Sequence, residues 1–131
     1  MIIVDTSVWI EFLEGGNHWT KERLKEKIAN RESVAYTEMI LLEILTGLEL
    51  RKDREKVEKN FQTNVLLPGK RSTTMLAAEI YQELRRKGKT IRSIVDCMIS
   101  AVAIETGATI LHKDRDFEYI AEYYPVVTEK E

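Results

Sequence analysis

Cysteine and histidine are scarce in this chain. Cys97 is the only cysteine among 131 residues, and the two histidines, His18 and His112, lie far apart in the sequence. A single cysteine excludes an intrachain disulfide and any metal site built from several cysteines. Two distant histidines argue against a structural zinc site as well.

The chain also lacks long apolar runs and a strong net charge. Its apolar stretches are far too short to cross a bilayer, and its amino terminus lacks the basic region and long apolar segment of a signal peptide. These absences predict a cytoplasmic location and no membrane partner. The net charge of −2 gives no general attraction to nucleic acid, so a polyanionic substrate would have to meet a local basic patch or bound cations.

The composition is that of one ordinary globular domain covering residues 1–131, with 44% hydrophobic and 32% charged residues. Strands alternate with helices along it, which predicts an α/β fold with a mainly parallel sheet of four to five strands and helices on both faces. The expected strands are 1–4, 33–37, 65–67 at an edge, 108–111 and 126–127. A helix is expected from Glu38 to about Leu50 and a last one over 117–123.

Aspartate is much rarer than glutamate, with five residues against seventeen. Asp5 follows the apolar run 1–4, which is typical of a buried strand, and a helix is expected to begin at Ser7. A carboxylate on such a strand-to-helix turn lies where open α/β sheets bind ligands, beyond the carboxyl ends of the strands. Three of the other aspartates fall at positions that could face the same crevice: Asp96, Asp114 and Asp116.

Two further carboxylates stand in apolar surroundings. Glu43 lies within the run 40–45, where a carboxylate is costly unless it is paired, protonated or bound to a cation. Asp96 lies near the start of a mostly apolar helix. Considered alone, Glu43 fits a surface position on an amphipathic helix about as well as a functional role. A capping role favoured by the helix dipole explains Asp96 well when it is considered alone.

Two aspartates follow the buried strand 108–111. Asp114 is closer to the strand end, as Asp5 is on the first strand, so we expect it to face a metal ion. Asp116 directly precedes Phe117, so we expect it to cap the last helix. Carboxylates gathered from separate segments repel one another unless divalent cations lie between them, and oxygen ligands suit Mg²⁺ or Mn²⁺.

Four short segments hold these acids in order along the chain. They are Ile3-Val4-Asp5-Thr6-Ser7, Glu43-Ile44-Leu45-Thr46-Gly47, Asp96-Cys97-Met98-Ile99-Ser100-Ala101 and Asp114-Arg115-Asp116-Phe117. Each is weakly specific alone. Together, in this order and over the whole chain, they resemble the PIN-domain ribonucleases, specifically the VapC toxins of bacterial and archaeal VapBC toxin–antitoxin pairs.

The resemblance implies a PIN-like domain and a Mg²⁺-dependent endoribonuclease toxin in which Mn²⁺ can substitute. By position, Asp5, Glu43, Asp96 and Asp114 match the family's catalytic, metal-binding acids, with Asp116 an accessory metal ligand. Relatives cut structured RNAs, commonly tRNA or a ribosomal RNA loop, through metal-activated water, and a cognate antitoxin holds them inactive. A VapB-like antitoxin and a second copy of the chain are therefore the implied protein partners.

Three further residues are candidates for contact with the RNA substrate. Ser7 matches a small polar position of the family that orients water or a carboxylate. His112 replaces the Thr or Ser that many relatives have; it can contact a phosphate or carry a proton, although a histidine packed beside the site is favoured. Arg92 ends the only dense basic cluster, and a phosphate contact and a role on a helix face stay open for it.

Two other functions fit part of the pattern. A phospho-accepting receiver domain also has an acidic Mg²⁺ pocket, and Lys113 could be its late lysine, but residues 66–69 offer no phospho-acceptor. An inactive PIN-like binding module would normally have lost one or more acids, whereas all are present.

Aromatic and apolar residues in the early helices are more numerous than we expect one small sheet face to bury. This surplus is a second reason to expect a homodimer, beside the resemblance. The residues are Trp9, Phe12, Trp19, Ile40 and Leu48.

Overall fold

A five-stranded parallel sheet lies at the centre of the computed structural model, which describes residues 1–49 and 51–131. The strands are β1 (Ile2–Val4), β2 (Val34–Tyr36), β3 (Val65–Leu66), β4 (Thr109–Leu111) and β5 (Val127–Thr128). Their order across the sheet is β3-β2-β1-β4-β5, and every neighbouring pair is parallel. The predicted α/β class and the edge position of β3 are confirmed.

Seven helices lie in the described part of the chain. They are α1 (Thr6–Glu14), α2 (Trp19–Ala29), α3 (Glu38–Gly47), α4 (Arg51–Phe61), α5 (Arg71–Arg86), α6 (Ile94–Thr106) and α7 (Arg115–Ala121). Helix α1 packs against α2 and α3, whereas α5, α6 and α7 pack against one another. Right-handed crossovers place these two groups on opposite faces, because the chain moves outward from β1 to β3 and then back across to β4 and β5. None of these helices is both long and apolar enough to cross a membrane.

The central strand β1 determines where the site forms. Ile2 pairs with Val34 on one side and with Thr109 on the other, and Ile3 is fully buried. The chain direction across the sheet reverses between β1 and β4, and ligands of open α/β sheets bind at such a reversal, beyond the carboxyl ends of the strands. The segments that follow β1 and β4 therefore meet at one crevice.

Two predicted helix boundaries differ from the structure. Helix α3 ends at Gly47, and the predicted end at about Leu50 lies outside the described residues. Helix α7 begins at Arg115 because the Asp114 side chain accepts a hydrogen bond from the Asp116 backbone N–H and caps the helix. The prediction that Asp116 is the cap is therefore wrong.

The large side chains of the early helices mostly belong to the core. Trp9 is 1% exposed and its ring packs against Phe12 and Phe61, while Ile40 is fully buried. Trp19 is partly buried and packs against the same core, as do Phe12 and Leu48. These residues are used within one chain, so the predicted apolar surplus was the wrong reason to expect a homodimer.

Candidate active site

Three carboxylates converge beyond the carboxyl ends of β1 and β4. One oxygen each from Asp96, Asp114 and Asp116 lies within 4.8 Å of the others. Asp96 is in the first turn of α6, which Ser93 caps, whereas Asp114 caps α7 and Asp116 is in its first turn. We call these three residues the carboxylate cluster.

Two oxygens of the carboxylate cluster are buried without a partner. Asp96 is 6% exposed and its Oδ2 accepts no hydrogen bond, and Asp116 is 1% exposed with an unpartnered Oδ1. Among the described residues, no lysine, arginine or histidine forms a salt bridge with any member of the cluster. Burying carboxylates in this way is unfavourable unless a proton or a cation offsets the charge. Since carboxylate oxygens are the ligands that Mg²⁺ and Mn²⁺ prefer, the cluster fits such an ion.

The Oδ2 oxygen of Asp116 connects the cluster to Arg92, which lies shortly before α6. Its Oδ2 accepts a hydrogen bond of 3.0 Å from the Arg92 backbone N–H. This contact holds the start of the segment 92–93 beside the carboxylates.

Asp5 lies next to the cluster at the amino end of α1. It is 5% exposed, and its Oδ2 accepts hydrogen bonds from the Ser7 hydroxyl at 2.6 Å and from the Ser7 backbone N–H at 3.2 Å. The Ser7 hydroxyl oxygen in turn accepts from the Lys113 backbone N–H at 3.2 Å. Ser7 thus orients a carboxylate, one of the two roles predicted for it, and joins the turns that follow β1 and β4.

Glu43 reaches the same crevice from α3. Its Oε1 accepts a hydrogen bond of 3.0 Å from the Thr6 hydroxyl, across 37 positions of sequence. Thr6 had no predicted role, although its position between Asp5 and Ser7 on the strand-to-helix turn was a signal in the sequence. Glu43 is half-buried, whereas the predicted alternative was an exposed surface glutamate.

The carboxylates influence one another electrostatically. Burial, together with the charges of Asp5 and Asp114, raises the pKa of Asp96 to about 8. Burial also raises the pKa of Asp5, against hydrogen bonds from Ser7 that lower it. Burial raises the pKa of Glu43, as does the Asp5 charge. Without a cation, Asp96 therefore keeps a proton at neutral pH.

His112 packs beside the site with both ring nitrogens in use. Its Nδ1 accepts from the Asp114 backbone N–H at 3.0 Å, and its Nε2 lies 2.9 Å from Oε1 of Glu118. The side chain is 7% exposed and its ring contacts Phe117, with 4.8 Å between centroids. The structure thus agrees with the packed histidine that the sequence favoured, rather than with a free phosphate contact.

Basic side chains border the carboxylates on the solvent side. Arg92, Lys113 and Arg115, which we call the basic rim, line a cavity of about 600 Å³ together with Ser7 and Asp114. The Lys113 ammonium lies 3.1 Å from a Glu11 carboxylate oxygen. Of the basic rim, Arg92 alone was predicted to contact the substrate, although Lys113 and Arg115 flank Asp114 directly in the sequence.

The strand order contradicts the receiver-domain alternative. Receiver domains have the flavodoxin-like order 2-1-3-4-5. In this chain β1 lies between β2 and β4, and β3 is at the edge. Lys113 is therefore not the late lysine of a receiver pocket, and it belongs to the basic rim instead.

Known proteins share both the sequence and the fold of this chain. The sequence profile of the PIN domain matches residues 2–123. Ribonuclease VapC11 of Mycobacterium tuberculosis is 34% identical over 131 residues, which cover 92% of each chain.

Two solved structures show the shared fold at lower identity. VapBC2 from Rickettsia felis, bound to a DNA fragment from its promoter, aligns with a TM-score of 0.77 at 18% identity over 98% of both chains. VapC20 of M. tuberculosis, described as a sarcin-ricin loop cleaving toxin, aligns with a TM-score of 0.63 at 22% identity over 95% of this chain and 96% of that one. With the identity to VapC11 and the profile match, these findings show that the chain belongs to the PIN-domain family, among its VapC ribonucleases.

Proposed function

We propose that this chain is a Mg²⁺-dependent endoribonuclease toxin that hydrolyses phosphodiester bonds in structured RNA, with Mn²⁺ as a substitute ion. One observation carries the proposal: the carboxylate cluster contains two buried oxygens without partners and no neutralising side chain. A divalent cation offsets that charge, which no basic side chain of the described residues neutralises through a salt bridge.

Each acid has a part in the proposed chemistry. Asp96, Asp114 and Asp116 would hold the cation, which when bound would supply Lewis acidity to activate water and to neutralise charge on the phosphate. Asp5 and Glu43 border this ion site. Their raised pKa values suit them to accept a proton from the attacking water.

The basic rim provides the phosphate contact that the overall charge of −2 does not. Arg92, Lys113 and Arg115 lie on the solvent side of the acids, where the RNA backbone has to pass to reach them. The substrate we propose is tRNA or ribosomal RNA. This choice is supported by the similar protein VapC20, which is described as cleaving the sarcin-ricin loop.

Cleavage should depend on divalent ions and on Asp5. The purified chain is expected to cut RNA with Mg²⁺ or Mn²⁺ and to stop when EDTA is added. Asp5→Asn is expected to remove the activity while the fold is kept, since the amide retains the size of the side chain and its bond from Ser7. RNA fragments are measured on a gel, and melting temperature and circular dichroism serve as controls for folding.

The outcomes of this experiment separate the alternatives. Unchanged cleavage in EDTA, or by a well-folded Asp5→Asn protein, would count against the proposed mechanism. RNA binding without cleavage by the wild-type protein would favour the inactive PIN-like module instead.

We propose a VapB-like antitoxin as the protein partner. The proposal is supported by membership of the VapC ribonucleases and by the fold shared with VapBC2 of R. felis. A reading frame for a small antitoxin-like protein beside the gene of this chain would be the simplest support.

We also propose that the chain forms a homodimer through an apolar face between α3, α5 and α6. Met75 and Ile94 are 61% and 68% exposed there. Ile94 lines a groove of about 400 Å³ with Met39, Thr74, Ala77, Ala78, Tyr81, Gln82, Val95 and Met98, and Met75 follows Thr74 in α5. No charged residue lines the groove, and a second copy of the same face would cover the apolar side chains of both chains at once.

Dimerisation should fail when a charge is placed on this face. Wild-type protein at micromolar concentration, without antitoxin, is expected to sediment as a dimer. Ile94→Glu is expected to sediment as a monomer, because a carboxylate would be buried in the interface. Val127→Glu is the matched control, since Val127 is 61% exposed but lies on β5. A monomeric wild-type protein would contradict the homodimer, and loss of the dimer in the control alone would place the interface elsewhere.

A further inference from the structure

His112 forms a closed turn with the metal-facing segment that follows it. Its Nδ1 accepts from the backbone N–H of Asp114, two residues later, at 3.0 Å. A side-chain acceptor that binds the N–H two residues on is the geometry that Asn, Asp, Ser and Thr use to stabilise turns. In this chain a histidine supplies the acceptor.

The Nε2 side of the His112 ring is also held by a hydrogen bond. Nε2 lies 2.9 Å from Oε1 of Glu118, and that oxygen also accepts from the Thr128 hydroxyl at 2.9 Å. The other oxygen of Glu118 accepts from the Lys130 ammonium at 2.6 Å. Helix α7 and the chain around β5 thus hold Glu118, and Glu118 holds the imidazole.

We propose that His112 is a positioning residue for Asp114, with Nδ1 unprotonated and Nε2–H donating to Glu118. As the acceptor for the Asp114 N–H, it fixes the turn from which Asp114 both caps α7 and presents a carboxylate to Asp96 and Asp116. The effect on cleavage rests on the proposed function, whereas the hydrogen-bonding role does not.

The geometry leaves no ring nitrogen of His112 free for phosphate contact or proton transfer, the two roles suggested by the sequence. Both ring nitrogens bond within the chain, and the side chain is 7% exposed. A phosphate contact needs a free N–H donor. A proton carrier would have to place a proton on Nδ1, and a protonated Nδ1 no longer accepts from the Asp114 N–H.

A threonine at this position can make the same bond through its hydroxyl oxygen. Valine has nearly the same shape but no acceptor. The pair His112→Thr and His112→Val therefore separates the hydrogen bond from the size of the side chain, and His112→Asn offers a second acceptor.

The first experiment compares these variants in metal-free protein and in cleavage. Hydrogen exchange of the Asp114 amide, followed by NMR in EDTA, is expected to be slow in wild type, His112→Thr and His112→Asn and fast in His112→Val. Cleavage at saturating Mg²⁺ is expected to fall about 10- to 100-fold in His112→Val, as for other residues that orient metal ligands. The threonine and asparagine variants should recover most of it.

The second experiment reads the tautomer of His112 from its ¹⁵N chemical shifts in metal-free wild-type protein. The expected signal is a protonated Nε2 and an unprotonated Nδ1. A proton on Nδ1, or an Asp114 amide that exchanges equally fast in the threonine and valine variants, would overturn the proposal. If wild-type protein cleaves no RNA, the proposed function fails, and the tautomer and the amide protection still decide the role of His112.

Discussion

Asp96→Asn is expected to lower RNA cleavage by about 100-fold or more and, without divalent cations, to raise the melting temperature at pH 8. The loss of activity follows from removing one carboxylate of the cluster, since a bound cation supplies several kcal/mol of charge stabilisation in phosphodiester hydrolysis. The gain in stability follows from burial: the charge on Asp96 is unfavourable beside Asp5 and Asp114, and asparagine has none.

The stability difference should grow with pH. The pKa of Asp96 is about 8 in the folded protein and 3.8 is its ordinary value. Because folding raises this pKa, its contribution to stability is complete below about pH 3.8 and is lost as the pH rises through about 8. Wild type should therefore lose stability between pH 5 and pH 8 in EDTA, and Asp96→Asn should lose less. Melting temperatures at pH 5, 7 and 8 measure the difference.

Two controls make this prediction specific. Glu58→Gln removes an exposed carboxylate from α4 and should change neither cleavage nor the pH dependence. Added Mg²⁺ should stabilise wild type more than Asp96→Asn at pH 8, since binding to the folded state alone stabilises it. An Asp96→Asn protein that cleaves RNA normally, or melts below wild type at pH 8 in EDTA, would contradict the account.

The position of the site was predictable because it depends on short apolar strands with polar residues at their carboxyl ends. The run before Asp5 and the run before Asp114 both have this form, and parallel strands align such ends at one edge of a sheet. The alternation of strands and helices predicted the fold class for the same reason. The family resemblance supplied the order of the acids and the nature of the reaction.

The contacts that orient the acids were not predictable, since they join distant segments. Thr6 binds Glu43 across 37 positions, and Ser7 binds the Lys113 backbone across 106. Nothing local to either residue indicates its partner. The burial of Trp9 was also not predictable, because Trp9 packs against Phe61 and this contact depends on where α4 packs. From its hydrophobicity alone, Trp9 was predicted to contribute to a dimer interface.

The capping residue of α7 was mispredicted for a different reason. Asp114 and Asp116 are both good caps, so the local sequence does not distinguish between them. The choice depends on the burial of Asp116, whose Oδ2 is occupied by the Arg92 backbone N–H. Asp116 also lies within the first turn of the helix that begins at Arg115, whereas Asp114 directly precedes it in the capping position.

The structure therefore changes what is expected of these two aspartates. Asp114 caps α7 with one oxygen, so Asp114→Ala should cost about 1 kcal/mol of stability and Asp114→Asn almost none, since asparagine is also a good cap. Asp116 accepts from Arg92 in a nearly inaccessible position. Asp116→Ala should cost about 1–3 kcal/mol, because it leaves that N–H without a partner, and Asp116→Asn should cost less.

Cleavage should depend more strongly on Asp116 than on Asp114. The buried Oδ1 of Asp116 accepts no hydrogen bond within the described chain, whereas the Oδ1 of Asp114 accepts the capping hydrogen bond of α7. Asp116→Asn is therefore expected to lower cleavage by about 100-fold or more and at least as far as Asp114→Asn.

The asparagine variants remove the negative charge of each residue while nearly preserving the stability of the fold. The alanine variants remove the charge and also the hydrogen bond that each residue accepts. Cleavage is measured at saturating Mg²⁺ and melting temperature in EDTA. If Asp116→Asn stays within a few-fold of wild type while Asp114→Asn is inactive, the metal-facing role belongs to Asp114, as its place next to the strand end first indicated.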